Sequence, residues 1–175
     1  RFLEKVLTFN GDHYGVEMDL KYHGIDEDTR VLVGWENGIA NTERAGSGSD
    51  LPGGIAGAQE VGAVAFMNEE RITVDDEESM DADEGLLKWA GVSSQYFFLA
   101  LAPLDPGHYR FELYGQIPGE IFEWEKFSYR IGKRLTGTGT GTWKILVYSG
   151  PLDYEELSTY QVDLERGIDL GWPII

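Results

Sequence analysis

Histidine is the first residue type to ask for chemistry, and His13, His23 and His108 stand too far apart to form an H-E-x-x-H or paired-ligand motif. Each reads as a surface or turn histidine. The Thr-Gly run at 136–142 and the segment Gly46-Ser47-Gly48-Ser49 suggest phosphate loops. Neither has the G-x-x-x-x-G-K-S/T or G-x-G-x-x-G spacing, so both read as turns between strands. Asp81-Ala82-Asp83-Glu84-Gly85 imitates the start of a calcium loop. Glycine is missing from the sixth position and glutamate from the twelfth, which leaves an acidic surface, with loose divalent binding as the other reading. There is no cysteine, hence no thiol nucleophile, disulfide or thiolate metal site, and no G-x-S-x-G elbow. Carboxylate pairs fit for glycoside hydrolysis discriminate nothing among 31 acidic residues. Trp35, Trp89, Trp124 and Trp143 could stack on sugars, although their places inside strand patterns favour core packing. No residue is assigned a catalytic, cofactor-binding or metal-ligating role, and no cofactor is expected.

The elements that would carry these residues are strands. Tyr14, Val16, Met18, Leu20 and Tyr22 alternate with Glu17, Asp19 and Lys21, the period of a strand with one buried face. Asn10-Gly11 precedes it, a dipeptide suited to a tight turn at positive φ, so 2–9 is expected to be its hairpin partner. Further strands are expected at 30–35, 61–68, 71–74, 86–90, 95–102, 109–114, 124–131 and 143–148. Short strands between Gly, Pro and Asp turns predict an all-β antiparallel sandwich or barrel. Residues 37–60, rich in Gly, Ser and Ala, are expected to form a long loop. Acidic 75–84 is expected to form a solvated one.

Helical signal is confined to 151–170. Pro151 suits a first turn, Asp153, Glu155 and Glu156 favour a helix N-terminus, and Tyr154, Leu157 and Tyr160 share a side. Asp163 is placed to cap a second short helix carrying Leu164 and Ile168, stopped by Gly171 and Pro173.

One core fits 175 residues, so 1–175 is read as a single domain. The apolar fraction of 42% excludes the disordered class. A net charge of −17 repels phosphate backbones and anionic headgroups, so no nucleic-acid partner is expected. The charge suits a domain held beside a bilayer without adhering to it, or a salty habitat. Apolar runs at 61–67 and 96–102 fall far short of a membrane span. Both ends read as cut points in a longer protein.

The stretch Leu87-Lys88-Trp89-Ala90-Gly91-Val92-Ser93-Ser94-Gln95-Tyr96-Phe97-Phe98-Leu99-Ala100-Leu101-Ala102-Pro103 resembles periplasmic domains of YidC-type membrane protein insertases. There a Trp, a Gly and a Tyr-Phe pair lead into an Ala-Leu strand closed by Pro. Tyr148-Ser149-Gly150-Pro151-Leu152-Asp153-Tyr154-Glu155-Glu156-Leu157 and Leu164-Glu165-Arg166-Gly167-Ile168-Asp169-Leu170-Gly171-Trp172 are similar to the two segments that follow in the same family. The resemblance covers about 86–172 well and the opening hairpin faintly, and 37–84 matches nothing in it.

The resemblance implies a β-sandwich of the super-sandwich type with two short C-terminal helices, forming the later part of a larger domain on the periplasmic side of the bacterial inner membrane. It implies a supporting, non-catalytic role, with the Sec translocon, its accessory subunits or nascent membrane proteins as partners. Membrane attachment would come through transmembrane segments outside this chain. Tyr154, Leu157, Leu164 and Ile168 are expected to press on the sandwich as a membrane-proximal joint, with Trp172 at headgroup level. A carbohydrate-binding sandwich module or a mutarotase-like enzyme stands as the alternative.

Overall fold

The computed structural model describes residues 1–26, 28–36, 38–39, 62–75, 80–94, 96–116, 126–135 and 139–168. Among these described residues eleven strands run in chain order: β1 (Phe2–Phe9), β2 (Gly15–His23), β3 (Arg30–Trp35), β4 (Gly62–Met67), β5 (Glu70–Val74), β6 (Met80–Gly85), β7 (Leu87–Ser93), β8 (Phe97–Pro103), β9 (Tyr109–Gln116), β10 (Lys126–Arg134) and β11 (Gly141–Pro151). One turn of helix, α1 (Tyr154–Leu157), and a 3₁₀ turn (Leu164–Gly167) follow.

The strands form two antiparallel sheets, a large one ordered β1-β2-β11-β8-β7-β4-β5 and a small one ordered β3-β10-β9-β6. The expected all-β sandwich is the fold. β9 lies over β4, β5 and β7, and β10 over β7 and β4. Between the sheets Met18, Leu20, Leu101, Phe111, Leu113, Phe127, Tyr129, Ile131, Trp143 and Ile145 make one continuous core.

The large sheet is buried on both faces at its centre. Along β4, Ala63, Ala65 and Met67 enter the core between the sheets, while Val64 and Phe66 enter a second cluster on the opposite face. β11 divides likewise, with Trp143 and Ile145 inward and Leu146 and Tyr148 outward. Strands buried on both faces lose the polar half of the alternation, which is why β4 reads as an unbroken apolar run. Towards its β1 edge the sheet is covered less, and every β1 residue except Val6 is exposed.

Several expectations need correction. Residues 75–84 are not all loop, because Met80–Gly85 forms β6, the edge of the small sheet, in register with β9 from Met80 opposite Tyr114 to Gly85 opposite Tyr109. Main-chain pairing holds an edge strand with no buried face, and of this strand only Gly85 is buried. The turn from β1 to β2 spans 10–14 rather than two residues. Asn10 shapes it, its side chain accepting from the Asp12 N–H and its carbonyl from the His13 N–H. Pro151 ends β11 instead of opening a helix. Asp163 sits at φ +60° without capping through its side chain. The expected loop at 37–60 lies almost entirely outside the described residues.

Candidate functional site

The residues expected to act together, Tyr154, Leu157, Leu164 and Ile168, lie on the segment after β11, against the outer face of the large sheet. Asp153 starts α1, its carboxylate accepting from the Glu156 N–H at 3.0 Å. This turn directs Leu157 inward, and the 3₁₀ turn does the same for Leu164. Both are 0% exposed, within a cluster that includes Phe66, Trp89, Phe98, Leu146 and Tyr148. Ile168 is partly buried against the same cluster. Tyr154 is not part of it: with 55% of its surface exposed it points away, because one turn of helix has a single inward position here and Leu157 fills it. Trp172 lies outside the described residues.

The receiving surface is aromatic and was missed as a site in the sequence. Trp89 packs nearly parallel to Phe66 at 5.9 Å and edge-on to Phe98 at 5.3 Å. Its indole N–H donates to the Asp163 carbonyl at 2.9 Å, while Lys88 reaches the Asp163 carboxylate at 3.2 Å. One residue thus meets the sheet through both its main chain and its side chain. Tyr160 makes a second tie, its hydroxyl accepting from the Gly15 N–H at 2.9 Å and donating to Glu156 at 2.9 Å. A Cβ on Gly15 would lie 2.5 Å from the Tyr160 ring, so this approach requires glycine. Burial and the Glu156 carboxylate raise the Tyr160 hydroxyl above its ordinary pKa, and burial followed by Glu156 raises that of Tyr148. Tyr148 donates to the Pro151 carbonyl at 2.6 Å, so both phenols serve as structural hydroxyls that tie this segment to the sheet.

A cavity of about 350 Å³ opens beside the segment, lined by Leu87, Lys88, Leu104, Asp105, Pro106 and Val162. The histidines do not converge on it. His13 lies edge-on to Tyr160 in the hairpin turn, and His23 stacks on Phe2 and contacts Thr140 at the far end of β2. Among the described residues no three His, Asp or Glu side chains gather as a metal-holding group. Trp89 and Trp143 are fully buried, Trp35 is exposed on β3 with its N–H bound to the Gly38 carbonyl, and Trp124 lies outside the described residues. The described tryptophans therefore present no shared stacking face. Among the described residues no helix is long and apolar enough to cross a membrane.

Comparison with known proteins supplies the affiliation. The family model described as the YidC periplasmic domain matches residues 2–175. Relatives named membrane protein insertase YidC include one from Chlorobium phaeovibrioides, 25% identical over 168 residues, covering 94% of this chain and 28% of the relative. Another, from Chlorobaculum tepidum, is 28% identical over 183 residues, covering 98% of this chain and 29% of the relative. A third, from Anaeromyxobacter sp., is 31% identical over 102 residues, covering 58% of this chain and 17% of the relative. The chain spans under a third of the length of these relatives. With the family model matched from residue 2 to residue 175, the chain belongs to the YidC periplasmic domain family.

Proposed function

We propose that this periplasmic domain supports the insertion and folding of inner-membrane proteins without a catalytic site of its own. In this reading the segment 152–168 is a structural joint that sets how the sandwich is carried by the rest of the protein. The observation that carries it is the docking of that segment: Leu157 and Leu164 are fully buried and Asp163 is held by Trp89 and Lys88. The Sec translocon, its accessory subunits and nascent membrane proteins are the proposed partners, and the membrane is reached through segments outside this chain.

The test is Leu157→Asp in the full-length protein. A carboxylate forced into an apolar contact costs several kcal/mol, so the joint should open while the sandwich core persists. Deleting 41–57, a Gly-, Ser- and Ala-rich stretch, is the comparison, since the entropy of closing a connection changes only slowly with its length. Insertion is read as protease protection of a newly made substrate in vesicles at matched expression. Leu157→Asp should reduce protection more than the deletion does. Intact protection in Leu157→Asp together with loss in the deletion would move the function into the deleted stretch.

A further inference from the structure

The turn between β1 and β2 holds itself weakly. Its own bonds, from the Asp12 N–H to the Asn10 side chain at 3.3 Å and from the His13 N–H to the Asn10 carbonyl at 3.4 Å, are longer than amide donors usually make. A third, from the Ser149 N–H of β11 to the Tyr14 carbonyl, is also 3.3 Å. A shorter bond comes from the segment after β11: the Gly15 N–H donates to the Tyr160 hydroxyl at 2.9 Å.

Tyr160 is prepared for this contact by its own segment. Its hydroxyl spends its proton on Glu156, four residues back, at 2.9 Å, and so meets the Gly15 N–H as an acceptor. The ring stands edge-on to Tyr148 of β11 at 5.2 Å and to His13 of the turn at 6.4 Å, and a methyl on Gly15 would lie 2.5 Å from it. Where Tyr160 sits depends on the rest of 152–168. Leu157 and Leu164 are fully buried in the outer aromatic cluster, and the Asp163 carbonyl, at a residue with φ +60°, accepts from Trp89. Among the described residues that cluster draws its strand members from β4, β7, β8 and β11 and includes none from the turn. Tyr160 joins the two, packed against the cluster on one side and bonded to the turn on the other.

We propose that Tyr160 is a latch that makes the β1–β2 turn and the 152–168 segment one cooperative unit: the turn is ordered while the segment is docked and frays when the segment leaves the sheet. The segment supplies the two-state element, because one turn of helix and a 3₁₀ turn are too short to persist away from the surface that receives them. Coupling of this kind is reciprocal, so whatever steadies the turn also holds the segment down. The latch deepens the joint proposed above and rests on that reading for its use, since a frayed turn then marks an open joint.

The experiment is hydrogen exchange by mass spectrometry on the full-length protein, with overlapping peptides that isolate the Gly15 amide, in wild type, Leu157→Ala, Tyr160→Phe and the double variant. Tyr160→Phe keeps the ring and removes the hydroxyl, so exchange at Gly15 and across 157–168 should rise about tenfold, the worth of one hydrogen bond. Leu157→Ala alters the cluster and not the turn, yet it should raise exchange at 12–15 about tenfold besides loosening its own segment. In the Tyr160→Phe background it should add nothing further at 12–15. Unchanged protection in β9 and β10 shows that the sandwich stays folded, and if Leu157→Ala strips that protection, the Tyr160→Phe result decides. Faster exchange at 157–168 in Leu157→Ala with wild-type exchange at 12–15 would overturn the coupling. Equal acceleration at 12–15 by Leu157→Ala with and without the Tyr160 hydroxyl would overturn the latch, because the route would bypass it, and so would wild-type exchange at Gly15 in Tyr160→Phe. The two readings separate when insertion is measured as well. Insertion lost in Leu157→Asp beside an unresponsive turn sinks the latch alone, and coupled exchange with insertion intact in Leu157→Asp sinks the proposed function alone.

Discussion

Replacing Leu157 by Ala tests whether the C-terminal segment is held by its side chains or merely lies along the sheet. Leu157 is fully buried, and its neighbours include rigid aromatic rings fixed by strands on one side and a short, weakly self-supporting turn on the other. Truncating a buried Leu to Ala costs about 2–5 kcal/mol, the upper end applying where the surroundings cannot close on the cavity. The sheet side cannot close, since Trp89, Phe98 and Tyr148 are packed on one another. The segment side can shift, which puts the expected loss near 3 kcal/mol. That loss should fall on the segment first: amides at 157–168 should exchange about a hundredfold faster, whereas those of β9 and β10 in the small sheet keep their protection. Hydrogen exchange by mass spectrometry, alongside urea unfolding followed by tryptophan fluorescence, reads both quantities. A loss below about 1 kcal/mol with unchanged exchange at 157–168 would refute the reasoning, because the Leu157 contact would then contribute no more than an exposed residue does.

Two more outcomes follow from single contacts. Burial, aided by Asp105, pushes the Tyr109 hydroxyl up to about 12, and burial raises Tyr129 and Tyr148 further. A folded-state pKa above the unfolded value near 10 leaves stability whole below that pH and erodes it as pH rises, so spectrophotometric titration should find these phenols silent until the chain unfolds in alkali. In Gly91→Ala the new methyl would sit 2.5 Å from the Leu99 carbonyl oxygen in the middle of the large sheet, where Gly91 pairs with Ala100 and Val64. Prising β7 from β8 should cost about 3 kcal/mol and lower the urea midpoint without changing the slope.

What could be read in the sequence followed from burial geometry. β2 alternates because one face meets the core and the other does not, so Met18, Leu20 and Tyr22 announced themselves. β6 did not, because an edge strand is held by its backbone, and Asp81, Asp83 and Glu84 carry no trace of the ladder they sit in. In the segment after β11, the spacing of Leu157, Leu164 and Ile168 was visible, whereas Trp89, Phe66 and Phe98 belong to strands distant in sequence and meet the segment only through the fold. Their signal was indirect: the apolar runs of β4 and β8 are too continuous for strands covered on one face alone. Tyr154 misled because a helical stripe presumes more turns than α1 has.

The segment after β11 also has a mechanical meaning. It is fastened at separate points, Leu157, Tyr160, Asp163 and Leu164, instead of along a continuous ladder of main-chain bonds. A pull arriving from beyond residue 168 would therefore meet these fastenings one after another, each yielding at low force, before reaching β11, which is paired on both sides. Stretched out, 152–168 would release roughly 55 Å of slack at about 3.3 Å per residue. The strap is thus a shock absorber in series with a stiff plate. Tension would be taken up first outside the sandwich, and the core between the two sheets would be loaded only after the strap is spent.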